Sequence, residues 1–313
     1  MPLNNLQVFD QWVQGTMVEV DAQFTDAFNA ASKNAIVLKA GVNAGDFTDT
    51  TFWNDIPNAY RRRDPYGSGT LTPVSLSQGL DTSVKIAGGS FPMVHEPQAL
   101  THINKDPKEA GIAFGEIMGK QIMKNKLDTA LSALVAGISN AGHTFTAAGN
   151  LTRGDMVAGA GVFGDRQSAL DVWVTHSKPM TDIYGENAAN VQRLFNIDNI
   201  NVAMDGFGRV IIMTDSDSLV DETTGSFSTL ALCQNAAVIE ENNDMRIVSD
   251  DVLGGENIQV QTQYEHTYNL QLKGYRFDKS VQAPTDADIA DGTKWIQNKN
   301  SVKDTAGVIV VST

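Results

Sequence analysis

Between residues 106 and 142 the chain carries a helical signature too long for the interior of an ordinary globular domain. Asp106-Pro107-Lys108-Glu109 supplies an N-cap carboxylate, a proline at the first helical position and a glutamate three residues after the cap. Apolar residues then return at three- and four-residue steps through Ala110, Ala113, Phe114 and Ile117, and again through Leu127, Leu131, Leu134 and Ile138. Asn140-Ala141-Gly142 ends the pattern. A helix over this stretch has about 33 residues and spans roughly 50 Å. A rod of that length suits a strut.

A second long pattern lies near the C-terminal end. Even positions from 258 to 272 read Ile258, Val260, Thr262, Tyr264, His266, Tyr268, Leu270, Leu272, while odd positions hold Gln259, Gln261, Gln263, Glu265, Thr267, Asn269 and Gln271. Period two over this many residues means an antiparallel sheet with one buried and one solvated face, built as one long strand or a bent pair. His266 falls on the apolar register and is expected as a hydrogen-bonded core residue.

Around these lie weaker signals. Residues 13–31 read as a short helix, and Gly41 and Gly45 interrupt the segment after it, so the first stretch looks like an arm. Residues 60–92 hold Arg61-Arg62-Arg63-Asp64-Pro65-Tyr66-Gly67-Ser68-Gly69, then Val74, Leu76, Val84 and Ile86 in alternation, then Gly88-Gly89. This reads as a long hairpin or extended loop. Next is an α/β stretch: a helix after Thr152, a strand over 170–175, a helix after Lys178, a strand over 209–214 and a helix near 228–235. Residues 285–292 read as a loop. The fold class is α+β.

Composition narrows the function. The 313 residues are 42% hydrophobic and 19% charged, enough apolar matter for a large core. Cys233 is the only cysteine, so no internal disulfide exists, and the first residues lack a signal-peptide pattern; a cytoplasm is the expected compartment. Asn150-Leu151-Thr152 therefore carries no meaning as a glycosylation sequon. No apolar run nears the roughly 20 residues of a membrane span. The net charge of −14 repels phosphate and disfavours direct DNA recognition, though it suits a wall enclosing DNA without adhering to it.

Several motifs invite chemistry. Gly159-Ala160-Gly161-Val162-Phe163-Gly164 matches GxGxxG, but a helix precedes it and a strand comes after, the reverse of the order that binds a dinucleotide. Val210-Ile211-Ile212-Met213-Thr214 ends in Asp215-Ser216-Asp217, where two carboxylates at a strand end suit Mg²⁺ or Mn²⁺ in phosphoryl transfer. Leu219 stands where a phosphatase of the haloacid-dehalogenase type would want threonine. His95, His102, His143, His176 and His266 are scattered without zinc spacing. Ser177 lacks a nucleophile elbow and reads as a helix cap, and Cys233 reads as a small core hydrophobe. Arg61, Arg62 and Arg63, with Asp64 and Tyr66 beside them, are candidates for contact with acidic groups of a neighbouring subunit; a solvated turn is the competing reading. Arg153-Gly154-Asp155 falls at a helix start and copies an adhesion tripeptide by chance.

The order of elements resembles the capsid fold of tailed-bacteriophage major capsid proteins, shared with encapsulins and the herpesvirus capsid floor. Local wording is similar too: Gly164-Asp165-Arg166, Trp173-Val174-Thr175-His176-Ser177-Lys178, Asp205-Gly206-Phe207-Gly208-Arg209-Val210, Thr214-Asp215-Ser216-Asp217, Trp295 and Lys303-Asp304-Thr305-Ala306-Gly307-Val308. The resemblance implies an N-terminal arm over 1–57 and an extended β-hairpin loop over 58–100. A peripheral domain with its spine helix would occupy 101–149 and an axial α/β domain 150–255. Residues 256–313 would return to the peripheral antiparallel sheet and form a C-terminal segment.

It also implies a non-enzymatic subunit without cofactor or metal, one that self-assembles through hexamers and pentamers into an icosahedral or prolate shell around double-stranded DNA. Portal and decoration proteins are implied partners. No scaffolding extension precedes the arm, so a separate scaffolding protein or a removed extension is expected. The site would be a virion capsid assembled in a host bacterial cytoplasm. An encapsulin-like compartment and a metal-dependent phosphotransfer enzyme using Asp215 and Asp217 are the alternatives.

Overall fold

The computed structural model describes residues 3–41, 45–53, 60–95, 107–184, 192–197, 200–204, 210–253 and 259–313. In chain order the first half holds α1 (Leu3–Ala31), β1 (Ile36–Ala40), β2 (Phe47–Trp53), β3 (Gln78–Gly89), β4 (Met93–His95), α2 (Pro107–Asn140) and β5 (Thr144–Thr146). Then come α3 (Arg153–Gly161), β6 (Val172–Thr175), α4 (Ser177–Tyr184), β7 (Gln192–Ile197), β8 (Ile200–Met204), β9 (Val210–Thr214) and β10 (Val220–Asp221). The last part holds β11 (Ser226–Leu232), β12 (Ala237–Glu241), β13 (Arg246–Val252), β14 (Gln259–Leu272), β15 (Tyr275–Phe277), α5 (Asp286–Ala290), β16 (Trp295–Gln297) and β17 (Gly307–Ser312).

The expected strut is α2, 34 residues long; the Asp106 cap lies outside the described residues. Two sheets pack on it. One has the order β1-β12-β14-β3-β2, with β13 and β4 also on β14. The other runs β5-β17-β11-β6-β9-β8-β7, with β10 on β11. Met123, Leu127, Leu131, Leu134 and Ile138 of α2 share one core with Ile36, Val84, Leu270 and Leu272 of the first sheet and Val174, Ile212 and Leu230 of the second. Burying both sides of the helix explains why its apolar residues do not keep to one narrow stripe.

The second sheet is covered on its other face by α3 and α4, whose Met156, Ala160 and Met180 pack with Trp173, Ile211 and Val310. Strands buried on both faces read as continuous apolar runs, as Val210–Thr214 does. For that reason 228–235 carried no legible period: the expected helix there is instead most of strand β11 and the turn after it, paired on both edges with β17 and β6.

β14 is one long strand whose even residues from Val260 to Leu272 are buried; Ile258 lies outside the described residues. It pairs with β12 and β13 along one edge and with β3 and β4 along the other.

The segment expected as an arm is integrated instead. α1 lies along α2 with Phe9, Val13, Met17 and Phe28 buried, and β1 pairs in parallel with β12. Gly111, Gly115 and Gly119 permit this: a Cβ on Gly115 would sit 2.8 Å from the Val13 carbonyl oxygen. The expected domain limits shift as well, since β12 and β13 belong to the first sheet and β17 lies inside the second. Residues 285–292 carry α5, started by a capping box between Thr285 and Asp288.

Candidate interaction surface

The hairpin is the most exposed feature of the described chain. Its first strand is β2, outside the expected 58–100 limits, and its second is β3, in register from Phe47 opposite Val84 to Trp53 opposite Gln78. Residues 84–89 of β3 also pair with β14, but 78–83 pair with β2 alone. The hairpin therefore leaves the sheet as a two-stranded ribbon. Val84 and Ile86 are buried at its root, whereas Val74 and Leu76 are exposed in irregular chain before the strand.

The C-terminal region braces the ribbon. The Lys279 ammonium bonds Asp49 at 2.5 Å and holds its carboxyl below the usual range. Asn298 donates to Asp81 Oδ1 at 2.6 Å, and the Lys299 ammonium lies over the Phe52 ring. Beyond the ribbon, Arg61, Arg62, Arg63, Asp64 and Tyr66 are all exposed. Asp64 Oδ1 accepts a 2.9 Å hydrogen bond from the Tyr66 backbone N–H, which shapes a turn around Pro65. Tyr60 is 88% and Tyr66 96% exposed, and Leu71, Val74 and Leu76 are exposed as well. A thin ribbon ending in aromatic, aliphatic and basic side chains has little of its own to pack on.

The enzymatic candidates do not converge. Asp215 comes directly after β9 and faces His176 across 3.6 Å, with half of its side chain exposed. Asp217 opens a short 3₁₀ turn through Leu219. Burial raises the Asp128 carboxyl, the Ser216 hydroxyl and Lys124 lower it, and the Asp217 charge raises it. Among the described residues no three His, Cys, Asp or Glu side chains gather in a metal-holding geometry. His102 lies outside them.

The remaining motifs serve packing. Gly159 lets α3 approach β17, since a Cβ there would stand 2.3 Å from Val310 Cγ2, and Gly164 turns the chain after the helix at φ +65°. Asp155 completes a capping box with Thr152, which accounts for Arg153-Gly154-Asp155. Gly206 and Gly208 are outside the described residues. His266 is buried in the expected register, but its Nδ1 meets no hydrogen-bonding partner among the described residues; it packs between Tyr264 and Tyr268. Cys233 is buried, its thiol 3.3 Å from the Thr305 carbonyl oxygen.

One polar cluster had no signal in the sequence. Lys126 of α2 reaches Asp21 of α1 and Glu241 of β12, residues separated by about a hundred positions. Its Nζ lies 3.1 Å from each Asp21 carboxylate oxygen and 2.9 Å from Glu241 Oε2. Burial pushes the Asp21 carboxyl up to about 6, against the attraction of Lys126 and with the help of Glu241.

A family model described as Gp13-like, major capsid protein 13-like, matches residues 5–309. No curated protein matches the sequence. Among solved structures, one from Mycobacterium phage Adephagia superposes with a TM-score of 0.52 at 11% identity, covering 90% of this chain and 89% of that one. The capsid asymmetric unit of cyanophage Pam1 gives 0.52 at 10% identity, over 86% and 85%. The head structure of Helicobacter pylori bacteriophage KHP40 gives 0.53 at 9% identity, over 90% and 88%. At such identities the likeness is one of fold.

Proposed function

The chain belongs to the Gp13-like family of phage major capsid proteins, and from that premise we propose how this structural, non-enzymatic subunit of the phage head joins its neighbours. The observation that carries the proposal is the β2–β3 ribbon with its exposed tip. A two-stranded ribbon is marginal alone in water, so a neighbouring subunit supplies the missing surface. Arg61, Arg62 and Arg63 meet acidic groups there, oriented by the Asp64 turn, while Tyr66 adds apolar contact. The acidic balance of the chain makes such groups plentiful on a second copy.

The subunits group as hexamers and pentamers, since a closed shell needs several modest interfaces repeated by symmetry. In this reading the second sheet with α3 and α4 is the axial domain, and the first sheet with α1 and α2 the peripheral one. A separate scaffolding protein guides closure, a portal and decoration proteins attach, and double-stranded DNA is enclosed without sequence readout.

Electron microscopy of the expressed protein, with and without co-expressed scaffold, tests assembly. Deleting 61–69 is expected to leave α2 and both sheets folded and to prevent stable shells. Hydrogen exchange over 60–77 is expected to be fast in free subunits and slow in shells. Normal shells from the deletion variant, or equally slow exchange in both states, would overturn the role of the loop.

A further inference from the structure

We propose that Lys126 and Asp21 condense into an amide bond within one subunit, with Glu241 as the proton carrier. Two observations converge on this triad. The reacting groups are in contact: Nζ lies 3.1 Å from both Asp21 oxygens, and Glu241 Oε2 lies 2.9 Å from the same nitrogen. The reacting pair is buried, the Lys126 side chain 3% and the Asp21 side chain 9% exposed, while Glu241 is 24% exposed.

Two other ion pairs, Lys39 with Glu240 and Lys279 with Asp49, have cationic side chains about half exposed. Water there stabilises the ions and competes with condensation. At Lys126 the desolvation that burdens a buried ion pair works the other way, because the amide carries no charge. Rigid placement on two packed helices removes the entropy cost of bringing amine and acid together.

The step balances without an oxidant or any other reagent. The Lys126 ammonium passes one proton to the Asp21 carboxylate, giving a neutral amine beside a neutral acid. The amine lone pair attacks Asp21 Cγ and the N–C bond forms. The Glu241 carboxylate takes the next proton from nitrogen and hands it to the hydroxyl oxygen of Asp21. The C–O bond breaks, one water leaves, and Glu241 returns to its starting state. Asp21, Lys126 and Glu241 line the floor of a groove of about 930 Å³ between α1, β1 and β12, which gives the water an exit past Ala22, Leu38 and Ile239.

The test is the intact mass of the denatured full-length chain, taken both from shells and from unassembled subunits. We expect a mass lower than the sequence mass by one water, and a tryptic digest with a branched peptide joining Asp21 to Lys126 and no cleavage after Lys126. Glu241→Gln is expected to keep the sequence mass or to condense far more slowly, and Lys126→Arg to keep the full mass. The full sequence mass for the unaltered chain in both preparations would overturn the proposal. So would a lost water that maps to other residues. Glu241→Gln condensing as fast as the unaltered chain would remove Glu241 from the mechanism. The primary readout needs no variant, so the folding of a variant does not decide it.

Discussion

His266 shows how one side chain couples the core to solution conditions. It is buried between two tyrosines, and desolvation, with Lys126 adding repulsion, lowers its imidazole to about 4. In the unfolded chain the same group titrates near its ordinary value of about 6.5. The stability it contributes is therefore present above about 6.5 and is lost as pH falls toward 4, on the order of 3 kcal/mol in full. Asp21 has the opposite sign when its carboxyl is free: with its pKa raised to about 6, it adds stability below about 4 that is lost as pH rises through 6. Comparing melting temperatures at pH 7 and pH 5, His266→Gln should lose less stability on acidification than the unaltered chain. An identical loss in both would show that His266 is not neutral in the folded state. The alternation from Val260 to Leu272 reveals the burial of this histidine, while the lack of a hydrogen-bonding partner at Nδ1 among the described residues is invisible there because it depends on which atoms β14 faces.

At the level of elements, the contact between α1 and α2 departs most from what local pattern suggests. Gly111, Gly115 and Gly119 lie four residues apart and so share one face of α2, and Phe9, Val13 and Met17 of α1 are buried in the same cluster as Met118 and Ile122. Glycine within a helix costs about 1 kcal/mol against alanine, a cost the close approach of two helices offsets. Gly115→Val should destabilise the protein by about 1–3 kcal/mol or more through overpacking, and should raise proteolysis within 3–31 before the sheets open. Denaturant unfolding and timed digestion check this; a neutral Gly115→Val would mean that α1 does not need the approach. The same stripe explains why the N-terminal helix reads as an arm in isolation: its partner surface is built from glycines, which carry no hydrophobic signal. The ribbon is misplaced for a related reason. β2 reads Phe-Thr-Asp-Thr-Thr-Phe-Trp, with too few apolar residues to show a period, and only pairing with β3 makes it a strand.

For the whole molecule, charge sets the conditions of assembly. Each subunit carries −14 and must approach copies of itself. At about 0.01 M salt the screening length is roughly 30 Å and repulsion reaches across a subunit, whereas at about 0.15 M it is roughly 8 Å. Shell yield from purified subunits should therefore rise over this range, measured by light scattering and sedimentation. A yield that falls with salt would mean that contacts such as those of Arg61 to Arg63 with acidic neighbours outweigh the general repulsion.

The sequence by itself determined the strut, the long alternating strand, the acidic surface and the order of elements that resembles a capsid subunit. Each of these rests on periodicity within one segment, on a cap a few residues long, or on total charge. The tertiary structure decided which segments meet. It set β17 between β5 and β11, carried β12 and β13 to the first sheet, laid α1 on the glycine face of α2 and brought Asp21, Lys126 and Glu241 together. Such contacts join residues a hundred positions apart, where the entropy of loop closure is repaid only by the finished core and no neighbouring residue carries a trace of the pairing.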